Sequence, residues 1–183
     1  MPPSARSCSP AGLPATLAAL ALLAVPALLA PRPAAAAEWA LYAGAFDLGT
    51  GDETAEAGVE ARFRLFELPL GAFDLPLEPA AGVMANADGG GYLYGSLRVP
   101  LHEIWSEGWP ERWRVVPFTG AGLYEEGDGK DLGGPVEFRS GLEVSVRAGG
   151  RWWVGLSYYH LSNAVLYDEN PGEESLVLVF ARR

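Results

Sequence analysis

Ala57-Gly58-Val59-Glu60-Ala61-Arg62-Phe63-Arg64-Leu65-Phe66 alternates apolar and polar side chains almost without a break. Ala57, Val59, Ala61, Phe63 and Leu65 share one side of an extended chain, and Gly58, Glu60, Arg62 and Arg64 share the other. The stretch from Val136 to Arg147 repeats the pattern: Val136, Phe138, Leu142, Val144 and Val146 stand against Glu137, Arg139, Glu143 and Arg147. A period of two held over about ten residues marks a β-strand with one greasy and one wet face.

Outward from these two stretches, weaker candidates run from Glu38 to Leu48, Leu77 to Ala87, Gly91 to Leu101, Trp113 to Tyr124, Arg151 to Leu161 and Glu174 to Phe180, which brings the total to eight strands. Turn-forming runs separate them: Gly49-Thr50-Gly51-Asp52, Asp88-Gly89-Gly90, Glu126-Gly127-Asp128-Gly129 and Ala148-Gly149-Gly150. The expected fold is all-β, an eight-stranded antiparallel barrel. A soluble, lipocalin-like barrel would turn its apolar face inward; a transmembrane barrel reverses this. Spacing alone leaves both open. Three features favour the transmembrane form. Opposite charges share one face, as a packed polar lumen requires. The strands match the roughly 9–11 residues of a tilted span. Aromatics gather at segment ends, as at Trp105, Trp109, Trp113 and Trp152.

Composition divides the 183 residues in two. Residues 1–37 hold no acidic or aromatic side chain and only Arg6 and Arg32 as bases. Arg6, the apolar Leu13 to Leu29 stretch and Ala35-Ala36-Ala37 read as a cleaved export signal. Pro14, Pro26, Pro31 and Pro33 break that stretch, which is too short for a spanning helix of roughly 20 residues. Cys8, the single cysteine, leaves with the signal, so thiol chemistry is excluded from the mature chain. Residues 38–183 form one domain with 11 basic against 23 acidic side chains, a net of −12. Lys130 is the only lysine, and a surface this acidic argues against nucleic acid.

Chemistry concentrates near the end of the chain. His102 falls in the polar Leu101 to Arg112 connection and reads as a solvated turn residue. His160 and Ser162, two apart, share the face of Trp152, Val154, Leu156 and Tyr158, the face expected to meet lipid. Glu174 opens the next strand on its apolar face, where an antiparallel hairpin brings it toward His160. A nucleophile, a base and an orienting carboxylate thus converge at one rim. His-x-Ser spacing is common by chance, and residues 163–172 also read as a plain polar loop. Placement favours function, because ionisable groups facing lipid are costly.

His160-Leu161-Ser162-Asn163-Ala164 followed by Asn170-Pro171-Gly172-Glu173-Glu174-Ser175 resembles the His-x-Ser-Asn and Asn-Pro-Gly-x-Glu signature of the PagL-type lipid A 3-O-deacylases, outer-membrane acyloxyacyl hydrolases built on an eight-stranded barrel. The resemblance implies an outer-membrane location and a serine esterase that removes the 3-O-linked hydroxyacyl chain from lipid A of lipopolysaccharide. It makes Ser162 the nucleophile, His160 the general base and Glu174 the carboxylate that orients it. Glu173 points to the other face and is the lesser candidate. Asn163 is a candidate to hold the oxyanion or position substrate, and Trp152, Val154 and Leu156 offer a surface for the acyl chain. The Ala181-Arg182-Arg183 ending departs from the aromatic finish of such barrels.

No cofactor and no metal is expected; the Gly127–Asp131 and Gly49–Glu53 runs lack the ligand register of a calcium loop. Arg62, Arg64, Arg139 and Arg147 are expected to pair with acids in the lumen. Expected partners are lipopolysaccharide and outer-membrane lipid, with a homodimer allowed. The alternative is a non-catalytic small barrel with an envelope or adhesion role; the third reading is a soluble periplasmic carrier.

Overall fold

The structure is a computed structural model that describes residues 38–63, 66–71, 74–104, 108 and 110–183. The expected export signal, with Cys8, lies outside the described residues, as do Arg64, Leu65, Trp105 and Trp109. The elements in chain order are β1 (Glu38–Phe46), β2 (Thr54–Arg62), β3 (Phe66–Pro69), β4 (Asp74–Asn86), β5 (Gly91–Arg98), α1 (Leu101–Ile104), β6 (Trp113–Glu125), β7 (Val136–Gly149), β8 (Trp152–Ser162) and β9 (Glu173–Arg182). Strands consecutive in the chain pair antiparallel, except β2 and β3. β1 also pairs with β9, and β2 with β4, so eight strands close into a barrel with no free edge.

The ninth strand was not expected. β2 stops at Arg62, and Phe66–Pro69 pairs only with the first residues of β4, from Phe66↔Leu77 to Pro69↔Asp74. The sequence alternation changes phase at this break: apolar residues fall on odd positions through Leu65 and on even positions at Phe66 and Leu68. What ends β2 is the pairing of Phe66–Pro69 with Asp74–Leu77 beyond the barrel rim. Connections 47–53, 87–90, 126–135 and 163–172 lie at one end, here the loop end. The two termini of the barrel and the turn at 150–151 lie at the other, the terminal end.

Exposure decides which barrel this is. Leu41, Leu93, Leu123, Leu156, Leu178 and Phe180 stand exposed on the outer wall, while Glu60, Arg62, Arg98, Glu137, Arg139 and Glu143 are buried inside. A charged interior under a greasy wall is the transmembrane arrangement. Trp39, Trp113 and Trp152 begin their strands at the terminal end, 58%, 46% and 50% exposed, as an aromatic belt at a membrane interface requires.

The lumen is filled by side chains. Arg62 donates to three carboxylates: Glu143 Oε2 at 2.6 Å, Glu60 Oε1 at 2.7 Å and Glu38 Oε1 at 3.0 Å. Arg98 joins the same cluster through Glu143 Oε2 at 3.0 Å and Glu60 Oε1 at 3.2 Å. Arg139 lies among aromatic faces, 3.9 Å from the ring centre of Tyr159 and 4.7 Å from those of Tyr94 and Phe118. Tyr42 and Tyr94 need space for their rings, and the residues directly opposite them in register are Gly58 and Gly82, where any Cβ would overlap the tyrosine ring. The expected lumen pairing holds for Arg62 and Arg139. It fails for Arg147, which is exposed at the terminal end with its guanidinium over the Trp153 ring and no acidic partner among the described residues.

Candidate active site

β8 carries Trp152, Val154, Leu156, Tyr158, His160 and Ser162 on the outer wall, in strict alternation with Trp153, Ser157, Tyr159 and Leu161 buried in the lumen. Antiparallel register then sets His160 directly opposite Glu174 on β9. His160 Nδ1 and Glu174 Oε1 are 3.3 Å apart, with the two side chains 44% and 42% exposed. A carboxylate on Nδ1 fixes the ring and leaves Nε2 for another partner. Ser162 stands two residues along on the same side, and its Oγ makes no hydrogen bond among the described residues. The hydroxyl is free to turn toward the imidazole, and such contacts commonly tighten only with substrate bound.

Glu173 is separated from this group by the pleat. It is fully buried in the lumen, where its Oε2 accepts from Ser175 Oγ at 3.0 Å and from the Asp47 amide at 3.3 Å. Glu174 is therefore the carboxylate that reaches the histidine.

Two expected site residues are placed elsewhere. Asn163 is fully buried; its Nδ2 donates to Leu132 O at 2.8 Å and Glu169 O at 2.7 Å, and its Oδ1 accepts from the Val165 amide at 3.0 Å. Both amide protons are used, so the expected oxyanion donor is instead the fastener that ties the 163–172 loop to the 126–135 loop. The same seam brings the Gly133 backbone against Glu169 and Gly134 against the Tyr167 ring. Trp152 belongs to the terminal belt, ten residues and so about 33 Å along the strand from Ser162. One leaflet spans about half of a ~30 Å hydrocarbon core, so Trp152 lies beyond an acyl chain anchored at Ser162. Val154 and Leu156 lie on the way, and Tyr158, Leu142 and Leu176 are nearer.

Residues after the serine were missed by sequence reasoning. Ala164 and Val165 have φ of 52° and 65°, a left-handed pair unusual for residues with a Cβ. The Asn163 amide donates to Asn170 Oδ1, the Val165 amide to Asn163 Oδ1 and the Leu166 amide to Asn163 O. Ala164 alone of these keeps an uncommitted amide among the described residues.

Gly172 closes the site from behind. It is buried with φ of 62°, and a Cβ there would come within 2.8 Å of His160 Cε1 and 3.3 Å of Nε2. Gly172→Ala is expected to displace the imidazole and lower turnover about 10²-fold while the barrel still folds, since a misplacement of about 1 Å has that cost. Turnover within threefold of the wild type would show that the ring has room to move.

His102 lies at the terminal end, in α1, half-buried rather than solvated. Burial, then the charges of Arg114 and Arg183, hold its imidazole below the ordinary histidine value. It has no place in the Ser162 group.

A family model described as "Lipid A 3-O-deacylase (PagL)" matches residues 55–183. Among solved structures, one described as "Crystal structure of the outer membrane enzyme PagL" aligns with a TM-score of 0.60 at 16% identity, over 80% of this chain and 99% of that one. At that identity the likeness speaks for the fold alone. No curated protein matches the chain.

Proposed function

The chain belongs to the lipid A 3-O-deacylase (PagL) family, and from that premise we propose that it is an outer-membrane serine esterase releasing the 3-O-linked hydroxyacyl chain of lipid A. The observation that carries this reading is the His160 Nδ1–Glu174 Oε1 contact of 3.3 Å on the lipid-facing wall, with Ser162 beside it. Elsewhere that wall is mostly aliphatic and aromatic, and intramembrane ionisable groups are retained for function.

The chemistry follows from the residue types. A serine hydroxyl is a weak nucleophile until a base removes its proton. His160 Nε2 takes the Ser162 proton as Oγ attacks the ester carbonyl, and Glu174 holds the ring and stabilises the imidazolium. The uncommitted Ala164 amide, two residues beyond the nucleophile, is the donor best placed for the oxyanion; one such donor is worth roughly 10²–10³ in rate. Collapse breaks the bond between the carbonyl carbon and the sugar 3-oxygen, and His160 returns its proton to that oxygen. Water then enters by the same route in reverse and frees a 3-hydroxy fatty acid. The site sits at the loop end of the wall, so a substrate can keep its chains in lipid with the ester at headgroup height. In this reading residues 1–37 are the export signal and the loop end faces outward.

Mass spectrometry of lipid A from a host lacking the activity tests the reading. Expression of the wild-type chain is expected to remove one 3-hydroxyacyl group. An unchanged lipid A mass, with the barrel folded in the outer membrane, would leave a non-catalytic envelope protein.

A further inference from the structure

Thr119 on β6, Ser140 on β7, His160 on β8 and Glu174 on β9 form one row across four adjacent strands: Thr119 is opposite Ser140, Ser140 opposite His160, and His160 opposite Glu174. All four face outward, and Thr119 and Ser140 are exposed on the wall. Above and below them the outer face of β6 and β7 is Pro117, Ala121, Phe138 and Leu142. The polar patch around the esterase site therefore continues two strands past the histidine, on the side away from Glu174.

Thr119 Oγ1 and Ser140 Oγ lie 3.0 Å apart, and either atom can be the donor. The pair owns two hydroxyl protons and spends one on itself. Whichever residue donates, one hydroxyl proton remains without an acceptor among the described residues, on a wall turned toward lipid. An unmet donor beside a reacting centre in lipid calls for an acceptor or hydroxyl carried by the substrate.

Reach identifies which group. Ser140 is the diagonal neighbour of Ser162, at the roughly 7–8 Å of such pairs. An acyl group on Ser162 that runs down the wall passes the level of His160 and Ser140 within its first few carbons. A hydroxyl on the third carbon, plus a hydrogen bond of about 2.8 Å, spans that gap. We propose that the Ser140–Thr119 pair is a specificity subsite that hydrogen-bonds the 3-hydroxyl of the departing acyl chain. It rests on the esterase reading above and adds to it a reason to prefer hydroxylated chains.

The test uses the full barrel in detergent and two synthetic lipid A molecules that differ only in the 3-O-linked chain, 3-hydroxytetradecanoyl or tetradecanoyl. The readout is the ratio of their kcat/KM values, with heat-modifiable gel mobility to check that each variant folds. The wild type is expected to favour the hydroxylated chain. Ser140→Ala combined with Thr119→Val is expected to reduce that ratio about tenfold, the scale of one hydrogen bond of ~1.4 kcal/mol. Thr119→Ser, which keeps both hydroxyls, is expected to retain the preference. An active wild type without preference, or a ratio unmoved by the double substitution, overturns this inference and leaves the esterase standing. A folded wild type that cleaves neither substrate overturns the esterase reading, and this one with it.

Discussion

Ser162→Ala is expected to lower lipid A deacylation by about 10⁴–10⁶-fold in kcat with little change in KM, because in the proposed mechanism it removes the attacking oxygen and leaves the binding wall intact. Glu174 offers the sharper comparison. Glu174→Gln keeps the shape but loses the charge that meets His160 Nδ1, and a fall of about 10²–10⁴-fold is expected. Glu173→Gln, one residue earlier, changes a lumen side chain bonded to Ser175 and Asp47, so turnover within about threefold of the wild type is expected. Turnover assays on purified variants of confirmed fold decide between these outcomes. If Glu173→Gln were the crippling change, or if Ser162→Ala stayed active, the roles assigned here would be wrong.

Arg62→Ala is expected to destabilise the barrel by about 3–5 kcal/mol or more, the penalty of removing one member of a buried ionic cluster. The guanidinium is the shared counter-charge of Glu38, Glu60 and Glu143, which approach it within 3.0, 2.7 and 2.6 Å. Arg98 still reaches Glu60 and Glu143, but among the described residues Glu38 would keep only Arg114. Urea unfolding in micelles, followed by tryptophan fluorescence, measures the loss. A change under 1 kcal/mol would mean that water enters the lumen and solvates the stranded carboxylates.

The strand pattern and the faces were legible in the sequence because a closed barrel forces every residue to choose lipid or lumen, and the two demand opposite chemistry. β2 and β7 declare that choice almost residue by residue. β3 was hidden because Phe66 to Pro69 is only four residues, too short to show a period of its own, and only its pairing with β4 reveals it. The contact between His160 and Glu174 could be inferred from one hairpin, being local. The engagement of Asn163 could not, since Leu132 comes from a different loop. Arg62 and Glu143 meet across the lumen, 81 positions apart in sequence, and parity says nothing of who faces whom there. Thr119 and Ser140 passed unnoticed for the same reason: each is one small polar residue on its own strand, and register alone aligns them with the histidine.

Among the described residues, Arg62, Arg98 and Arg139 cross the barrel interior, each buried and held by carboxylates or rings, and this packing opposes a continuous aqueous path from one end to the other. Such a protein can be displayed in high copy number without leaking ions, nutrients or antibiotics. Planar bilayers containing it should stay electrically silent. The cell could thus remodel the lipids of its outermost leaflet while the permeability barrier those lipids form stays shut.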